Sequence, residues 1–167
     1  NSDFAHLNFS GFSDFSDFVN KVDIEGSFKS SLISFNDISF FAHTLKGYDE
    51  QFNFTGLISG QISNLKGEKI IIAYHNNTQL EATFTMIGLP DFKSTFMQYD
   101  IRNLHSNIHA LKMIKIPGKN NTSQLNIPQY MIHLGEIIYS GKFTGYLDDF
   151  VAYGILTTDL GKVSTDI

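Results

Sequence analysis

Hydrophobic and polar positions alternate along most of this chain, and one strand-and-turn pattern occurs three times. The copies span residues 24–32, 54–62 and 139–147, and each has an apolar or small residue at every second position. Successive side chains of a β-strand point to opposite faces, so each copy predicts one apolar face and one face of mostly polar residues. Gly or Ser recurs on the apolar side, which predicts sheet bending or space for another molecule beside Phe28, Ile58 and Phe143.

Other segments continue the same alternation. The β-branched run 70–74 and the return strand 79–86 flank His75-Asn76-Asn77, which predicts a hairpin turn because Asn tolerates left-handed backbone. Further strands are predicted at residues 92–101, 137–147, 151–158 and 161–167.

Two short helices interrupt the predicted strands. One covers residues 36–43 with Asn36 or Asp37 as its cap and ends near Gly47. The other covers 107–112 with Ser106 or Asn107 as its cap. Residues 117–123 predict a long, mobile loop. No helical stretch is long enough for a parallel crossover, so we expect an all-β fold: a curved, mainly antiparallel, elongated and groove-like sheet.

Composition narrows the range of partners. The formal net charge is −5 and the basic residues are scattered, which argues against nucleic-acid binding. The chain has no cysteine, which excludes a disulfide framework and a thiol nucleophile. We expect residues 1–167 to be a single β-rich segment, a fragment of a much longer repetitive β-sheet protein.

The sequence gives only weak evidence for catalytic or metal-binding residues. His105 and His109 have the spacing of a two-histidine metal site, but no third ligand lies close in sequence, which favours solvent-facing side chains. Asp148 and Asp149 lie between two predicted strands, where Asp is typical of turns. The chain lacks a nucleophile elbow and a phosphate-binding glycine loop. We therefore expect no enzymatic activity, no cofactor and no metal.

The predicted apolar face allows two interpretations. In one, a second sheet or helices close it into an ordinary core; in the other, the sheet curls into a trough that receives acyl chains. Its lining is expected to come from Ile58, Ile62, Leu80, Ala82, Phe84, Met86, Phe143, Leu147, Val151, Tyr153 and Ile155.

A family resemblance favours the trough. The matching segments are residues 34–42, the pattern Phe54-x-Gly56-x-Ile58-x-Gly60-x-Ile62-Ser63-Asn64-Leu65, residues 78–82, residues 88–91 and the stretch 141–161. Over residues 20–167 the chain resembles the periplasmic β-repeat region of TamB (translocation and assembly module) and AsmA-like proteins. His43 departs from the pattern, which has Pro there.

The resemblance implies a section of a periplasmic hydrophobic groove that conducts phospholipid between the inner and outer membranes or supports outer-membrane protein assembly. The implied partners are phospholipid or other acyl chains and, through parts outside this chain, a BamA-type outer-membrane barrel. An N-terminal inner-membrane anchor is also implied outside it. Two alternatives stay open: a strand-pairing scaffold or chaperone for outer-membrane proteins, and a glycan-binding or adhesive surface domain.

Overall fold

A computed structural model describes residues 2–39, 50–75, 77–113, 115–116, 123–124 and 127–166. Nine strands form one antiparallel sheet in the order β1-β2-β3-β4-β5-β6-β9-β10-β11. They are β1 (Ser2–Asn8), β2 (Asp23–Ser34), β3 (Gln51–Gln61), β4 (Asn64–Tyr74), β5 (Thr78–Ile87), β6 (Phe96–Asn107), β9 (Glu136–Gly145), β10 (Phe150–Thr158) and β11 (Gly161–Asp166). The sheet is not closed, since β1 and β11 are its two edges. A separate two-stranded ribbon, β7 (Lys115–Ile116) with β8 (Ser123–Gln124), lies in the connection between β6 and β9.

The described helices are short and lie at the strand ends. They are a 3-10 helix (Phe12–Asp17), α1 (Phe18–Lys21), α2 (Phe35–Ile38), α3 (Ile108–Met113) and a second 3-10 helix (Gln129–Leu134). At one end, which we call the first rim, Ser63 of the β3–β4 turn donates its N–H to the Val19 carbonyl of α1 at 3.1 Å. At the other end, the second rim, Ile108 donates its N–H to the Gly135 carbonyl at 3.1 Å.

Side-chain caps explain where two of these helices begin. Asn107 accepts the Ala110 N–H at 2.8 Å, which confirms one of the two caps predicted for α3. The helix after β2 is also present, but it begins at Phe35, and Ser34 caps it by accepting the Asn36 N–H at 3.1 Å. The predicted caps at Asn36 and Asp37 are therefore wrong by two to three positions. Three predicted features lie outside the described residues. They are the end of the first helix at Gly47, the departure from the family pattern at His43, and most of the loop at 117–123.

Bulges fall at similar levels in every second strand of this part of the sheet. The extra residue lies between Phe28 and Ser31 in β2, between Gly67 and Ile70 in β4, and between Ile101 and Leu104 in β6. Ser30 and Lys69 have left-handed backbone there, with φ of 45° and 52°. A bulge bends its strand and increases its twist. Aligned bulges therefore form a crease that runs across the strands, along the long axis of the sheet.

The densest packing lies on one face of β2–β5. Phe52, Phe54, Ile70 and Tyr74 form a buried cluster there, and Ile70 is 2% exposed. The partly buried residues packed against it are Phe28, Ile33, Phe35, Ile38, Ile58, Ile72 and Phe84. Toward β11 the same face is less covered: Phe150 is 43% exposed and Val163 is 57% exposed. The face thus changes from a packed core near β3 to an accessible apolar surface near β10.

Candidate functional site

The strand register determines which side chains share a face, because directly opposed residues of an antiparallel pair point to the same side. One row of opposed residues consists of Gly67, Phe84, Tyr99, Phe143 and Ala152. The next row toward the first rim consists of Leu65, Met86, Met97, Gly145 and Phe150. The rows toward the second rim contain Ile70, Ala82, Ile101, Gly141 and Gly154, then Ile72, Leu80, Leu104, Tyr139 and Leu156. We call this side the apolar face and the other side the polar face.

Part of the predicted lining lies together on the apolar face. The residues placed there are Ile58, Leu80, Ala82, Phe84, Met86 and Phe143. Ile62 lies in the two-residue turn between β3 and β4, where it is 6% exposed.

The predicted face of β10 is wrong. Val151, Tyr153 and Ile155 lie on the polar face, opposite residues 144, 142 and 140 of β9. Leu147 lies outside both strands, in the turn that connects them, and is 62% exposed.

The length of that turn explains the error. Four residues, 146–149, separate the paired residues Gly145 and Phe150. The pairing therefore places odd-numbered residues of β9 on the same face as even-numbered residues of β10. Extending the odd-numbered apolar pattern of β9 through the turn assigns β10 to the wrong side.

Aromatic rings run along the apolar face across four strands. The ring centroids of Phe84 and Tyr99 are 6.0 Å apart, and those of Tyr99 and Phe143 are also 6.0 Å apart. Phe143 stacks on Phe150 at 4.7 Å. These distances are typical of favourable ring contacts. We call Phe84, Tyr99, Phe143 and Phe150 the aromatic row, and it follows the long axis of the sheet.

The Tyr99 phenol is partly buried and lies beside two methionine sulfurs. Its hydroxyl lies 3.6 Å from the Met86 Sδ and 3.9 Å from the Met97 Sδ, and a thioether is a weak acceptor. Burial raises the pKa of Tyr99, because the charged phenolate would lose its hydration. Tyr99 therefore acts as a neutral, apolar part of the row.

Rings fill the spaces that glycines leave on this face. Phe84 lies over Gly67, so a Cβ at Gly67 would be 2.6 Å from its Cζ atom. Tyr139 lies along Gly141 and Gly154 and donates its hydroxyl to the Tyr153 carbonyl at 3.3 Å. Of the spaces predicted beside Phe28, Ile58 and Phe143, those at Gly26 and Gly141 are thus filled by rings, whereas that at Gly56 is filled by the Ile70 side chain.

Several residues of the apolar face were missed by sequence reasoning. They are Leu65, Met97, Tyr99, Ile101, Leu104, Tyr139, Phe150, Ala152 and Leu156. The alternation of Met97, Tyr99 and Ile101 within the predicted strand 92–101 carries the signal for β6.

The polar face carries a shallow cavity of about 600 Å³ between β4 and β9. Lys66, Glu68, Lys69, Asp100 and Lys142 contribute its charges. The Lys142 Nζ lies 3.9 Å from the Asp100 Oδ2, and both side chains are well exposed. An exposed pair of this kind contributes little to stability.

A titratable cluster lies near the second rim. The Tyr74 hydroxyl donates to the Glu50 Oε2 at 2.9 Å, and the His75 Nε2 lies 3.3 Å from the same oxygen. Burial, together with the hydrogen bond and the charge of Glu50, raises the pKa of Tyr74 to about 12. A depression of about 380 Å³ beside it is lined by Leu32, Glu50 and His75 among others.

The remaining candidate residues are separated by the fold. His105 lies in β6 with its Nε2 2.9 Å from the Glu136 Oε2, whereas His109 lies in α3. Asp148 and Asp149 lie in the β9–β10 turn, as the sequence predicts, with the Tyr146 N–H donating to the Asp149 carbonyl at 2.8 Å. Within the described ranges, no three His, Asp or Glu side chains are grouped as metal ligands.

Comparison of the chain with protein-family models, with curated proteins and with solved structures finds no match. Among the helices in the described part of the chain, none has the length and apolar character needed to cross a membrane.

Proposed function

We propose that this chain is one section of a hydrophobic β-groove that holds acyl chains on its apolar face. The observation that carries the proposal is the aromatic row, which follows the long axis of an unclosed sheet and becomes more accessible toward β10. A core that closes on itself has no need of an open edge and an accessible apolar end.

The chemistry of the face suits an alkyl chain. Rings, thioethers and aliphatic groups line the four rows, and burial raises the pKa of Tyr99, one of their two phenols. Tyr139 contributes ring surface, while its hydroxyl is occupied by the Tyr153 carbonyl. An acyl chain on this face meets no charged side chain from the four rows that define it.

The energetics favour weak, exchanging binding. Each methylene that leaves water gains about 0.8 kcal/mol, so about ten methylenes gain about 8 kcal/mol. Association itself costs about 4–15 kcal/mol. Because rings fill the spaces at Gly67, Gly141 and Gly154, these glycines leave no pocket to trap a terminal methyl group. A chain that binds weakly can slide along the face.

The sequence resemblance gives this activity a setting. In TamB-like and AsmA-like proteins such a groove belongs to a periplasmic conduit, so we propose phospholipid as the cargo and the space between inner and outer membranes as the location. Any contact with an outer-membrane barrel would involve parts outside this chain.

A matched pair of substitutions tests the proposal. Phe143→Glu places a charge in the aromatic row, whereas Ile155→Glu places the same charge on the polar face of the next strand, at a side chain that is 41% exposed. We expect Phe143→Glu to lower binding of a fluorescent fatty acid by at least about tenfold, since it buries a carboxylate beside the chain. Ile155→Glu should leave binding within about twofold, because exposed sites tolerate charge.

Circular dichroism and a melting curve must show that both variants remain folded. The groove proposal fails if the folded Phe143→Glu protein binds the fatty acid as well as the wild type. It also fails if the two variants lose binding equally.

The open edges support a second candidate, a scaffold that pairs with strands of outer-membrane proteins. β1 and β11 each have one side without a partner strand among the described residues. This function would depend on backbone hydrogen bonds and little on the apolar face. It predicts that Phe143→Glu preserves capture of an unfolded outer-membrane strand and that Pro substitutions on an edge abolish it.

A further inference from the structure

The shallow cavity of about 600 Å³ on the polar face lies in the middle of the sheet. Its lining comes from β4, β5, β6 and β9, and each of these strands has a hydrogen-bonded partner strand on both sides. The floor of the cavity is therefore complete within the described residues. It opens on the opposite side of the sheet from the aromatic row.

The strand register arranges most of the lining as two rows of directly opposed residues, which point to the same face. One row consists of Lys66, Thr85, Gln98 and Thr144. The other consists of Thr83, Asp100 and Lys142 and leads to the bulge of β4. Lysines thus lie at the two ends, on β4 and β9, which are three strand spacings or about 14 Å apart. Hydroxyl and amide groups lie between them.

The bulge of β4 adds a third lysine. Gly67 pairs with Phe84 and Ile70 with Ala82, so the two residues between them, Glu68 and Lys69, face the single Thr83 of β5. Lys69 has left-handed backbone, with φ of 52°, which is uncommon for lysine. A bulge re-aims a side chain and leaves its extra residue without a ladder partner. Residues held in such conformations cluster at ligand sites.

The cavity is locally basic, although the chain as a whole is acidic. Three lysines (Lys66, Lys69 and Lys142) and two acidic residues (Glu68 and Asp100) line it, which gives a formal charge of +1, whereas the chain has −5. Among the described residues, no acidic side chain forms an ion pair with Lys66 or Lys69. This charge distribution favours an anionic ligand.

The mixture of polar groups narrows the ligand class further. Ionised carboxylates only accept hydrogen bonds, so Glu68 and Asp100 would repel a simple anion. A ligand that has both hydroxyls and anionic groups suits the whole lining, because its hydroxyls donate to the carboxylates and its anionic oxygens accept from the lysines. Tyr153 is 51% exposed directly opposite Lys142, which places an aromatic ring beside the cavity.

We propose that this cavity binds a short acidic saccharide, a uronic-acid oligosaccharide with one carboxylate on each sugar ring. The lysines at the two ends bind the carboxylates, and the threonines and Gln98 pair with ring hydroxyls. The volume of about 600 Å³ lies within the usual range of ligand cavities, about 300–1,000 Å³. The inference goes beyond the proposed function, because the cavity and the acyl-chain surface lie on opposite faces.

A titration with digalacturonic acid, followed by the amide chemical shifts of the nitrogen-15-labelled protein, tests the ligand class. We expect saturable shifts at residues 66–69, 83–85, 98–100 and 142–144. The methyl-esterified disaccharide is the matched neutral ligand and should bind at least about tenfold more weakly, since it lacks the charge-assisted hydrogen bonds. Inorganic phosphate offers charge without ring hydroxyls and should also bind at least about tenfold more weakly.

A charge reversal tests the position of the site. Lys66→Glu should weaken binding of digalacturonic acid by at least about tenfold, because a carboxylate replaces the ammonium group at one end. Lys162→Glu makes the same charge change on the polar face of β11, outside the cavity, and should leave binding within about twofold in physiological salt. Both side chains are exposed, so both variants should fold, and circular dichroism checks this.

Three results would overturn the proposal: no saturable shift with digalacturonic acid, binding of the neutral ester or of phosphate as tight as that of the acid, or equal losses in Lys66→Glu and Lys162→Glu. Tighter binding of adenosine monophosphate at the same amides would overturn it in favour of a nucleotide site. Fatty-acid binding by Lys66→Glu should equal that of the wild type, so the saccharide and groove proposals can fail separately.

Discussion

The contact between Phe84 and Gly67 provides a sharp test of how the apolar face is built. A Cβ added at Gly67 would lie 2.6 Å from the Phe84 Cζ and 2.7 Å from its Cδ1, so Gly67→Ala must displace the ring. Gly67 has no left-handed φ, so the backbone itself accepts alanine.

The magnitude follows from two opposing effects. Forcing a ring out of a packed position costs about 1–3 kcal/mol. Replacing Gly by Ala where the backbone allows it stabilises by about 0.4–1 kcal/mol through the unfolded chain. We therefore expect Gly67→Ala to lower the free energy of unfolding by about 1–2 kcal/mol in the wild type, a fall in Tm of about 2–8 °C.

A double-mutant cycle isolates the contact. In the Phe84→Ala background the ring is gone, so Gly67→Ala should be neutral or stabilising by up to about 1 kcal/mol. Urea unfolding followed by circular dichroism should therefore give a coupling energy of about 1–3 kcal/mol between positions 67 and 84. A Gly67→Ala effect of the same size in both backgrounds would refute the ring-over-glycine packing.

Three further predictions concern other parts of the fold. Because the folded pKa of Tyr74 is raised to about 12 while an unfolded tyrosine titrates near 10, the free energy of unfolding should fall between pH 10 and about 12; Tyr74→Phe should flatten this fall in alkaline urea titrations, and an unchanged slope would contradict the assignment. Asn107→Ala removes the cap of α3 and should cost about 0.5–2 kcal/mol in the same unfolding assay, and a loss below that range would mean that the cap is unimportant. Lys142→Ala removes the exposed contact with Asp100 and should change stability by less than about 1 kcal/mol, so a larger loss would show that this pair supports the polar face.

The strands could be predicted because alternation in sequence is a direct signature of their geometry. The all-β class, the antiparallel arrangement and the apolar face of β5 follow from residues such as Leu80, Phe84 and Met86. The predicted strand starting at 92 was less accurate, since β6 begins at Phe96 and continues to Asn107.

The predictions that failed concern geometry that strand alternation does not encode. The four-residue turn after Gly145 reverses which residues of β10 are inward, and only the paired register reveals it. Residues 12–21 form short helices with Phe12, Phe15 and Phe18 in ring contact. The three-residue spacing of these phenylalanines matches the three residues per turn of a 3-10 helix, a period that a search for strand alternation misses. Left-handed backbone at Ser30 and Lys69 places the crease, and neither residue type signals such a conformation.

Paramagnetic relaxation by a nitroxide-labelled fatty acid tests the central claim most directly. With carbon-13 labels on methionine and isoleucine methyl groups, the account predicts that the acyl-chain nitroxide broadens Met86 and Met97, beside the aromatic row, before Ile155 on the polar face. Saturable broadening of Met86 and Met97 with Ile155 unaffected is the predicted result. Equal broadening of all three methyl signals, or saturable broadening of Ile155 alone, would contradict the acyl-chain groove.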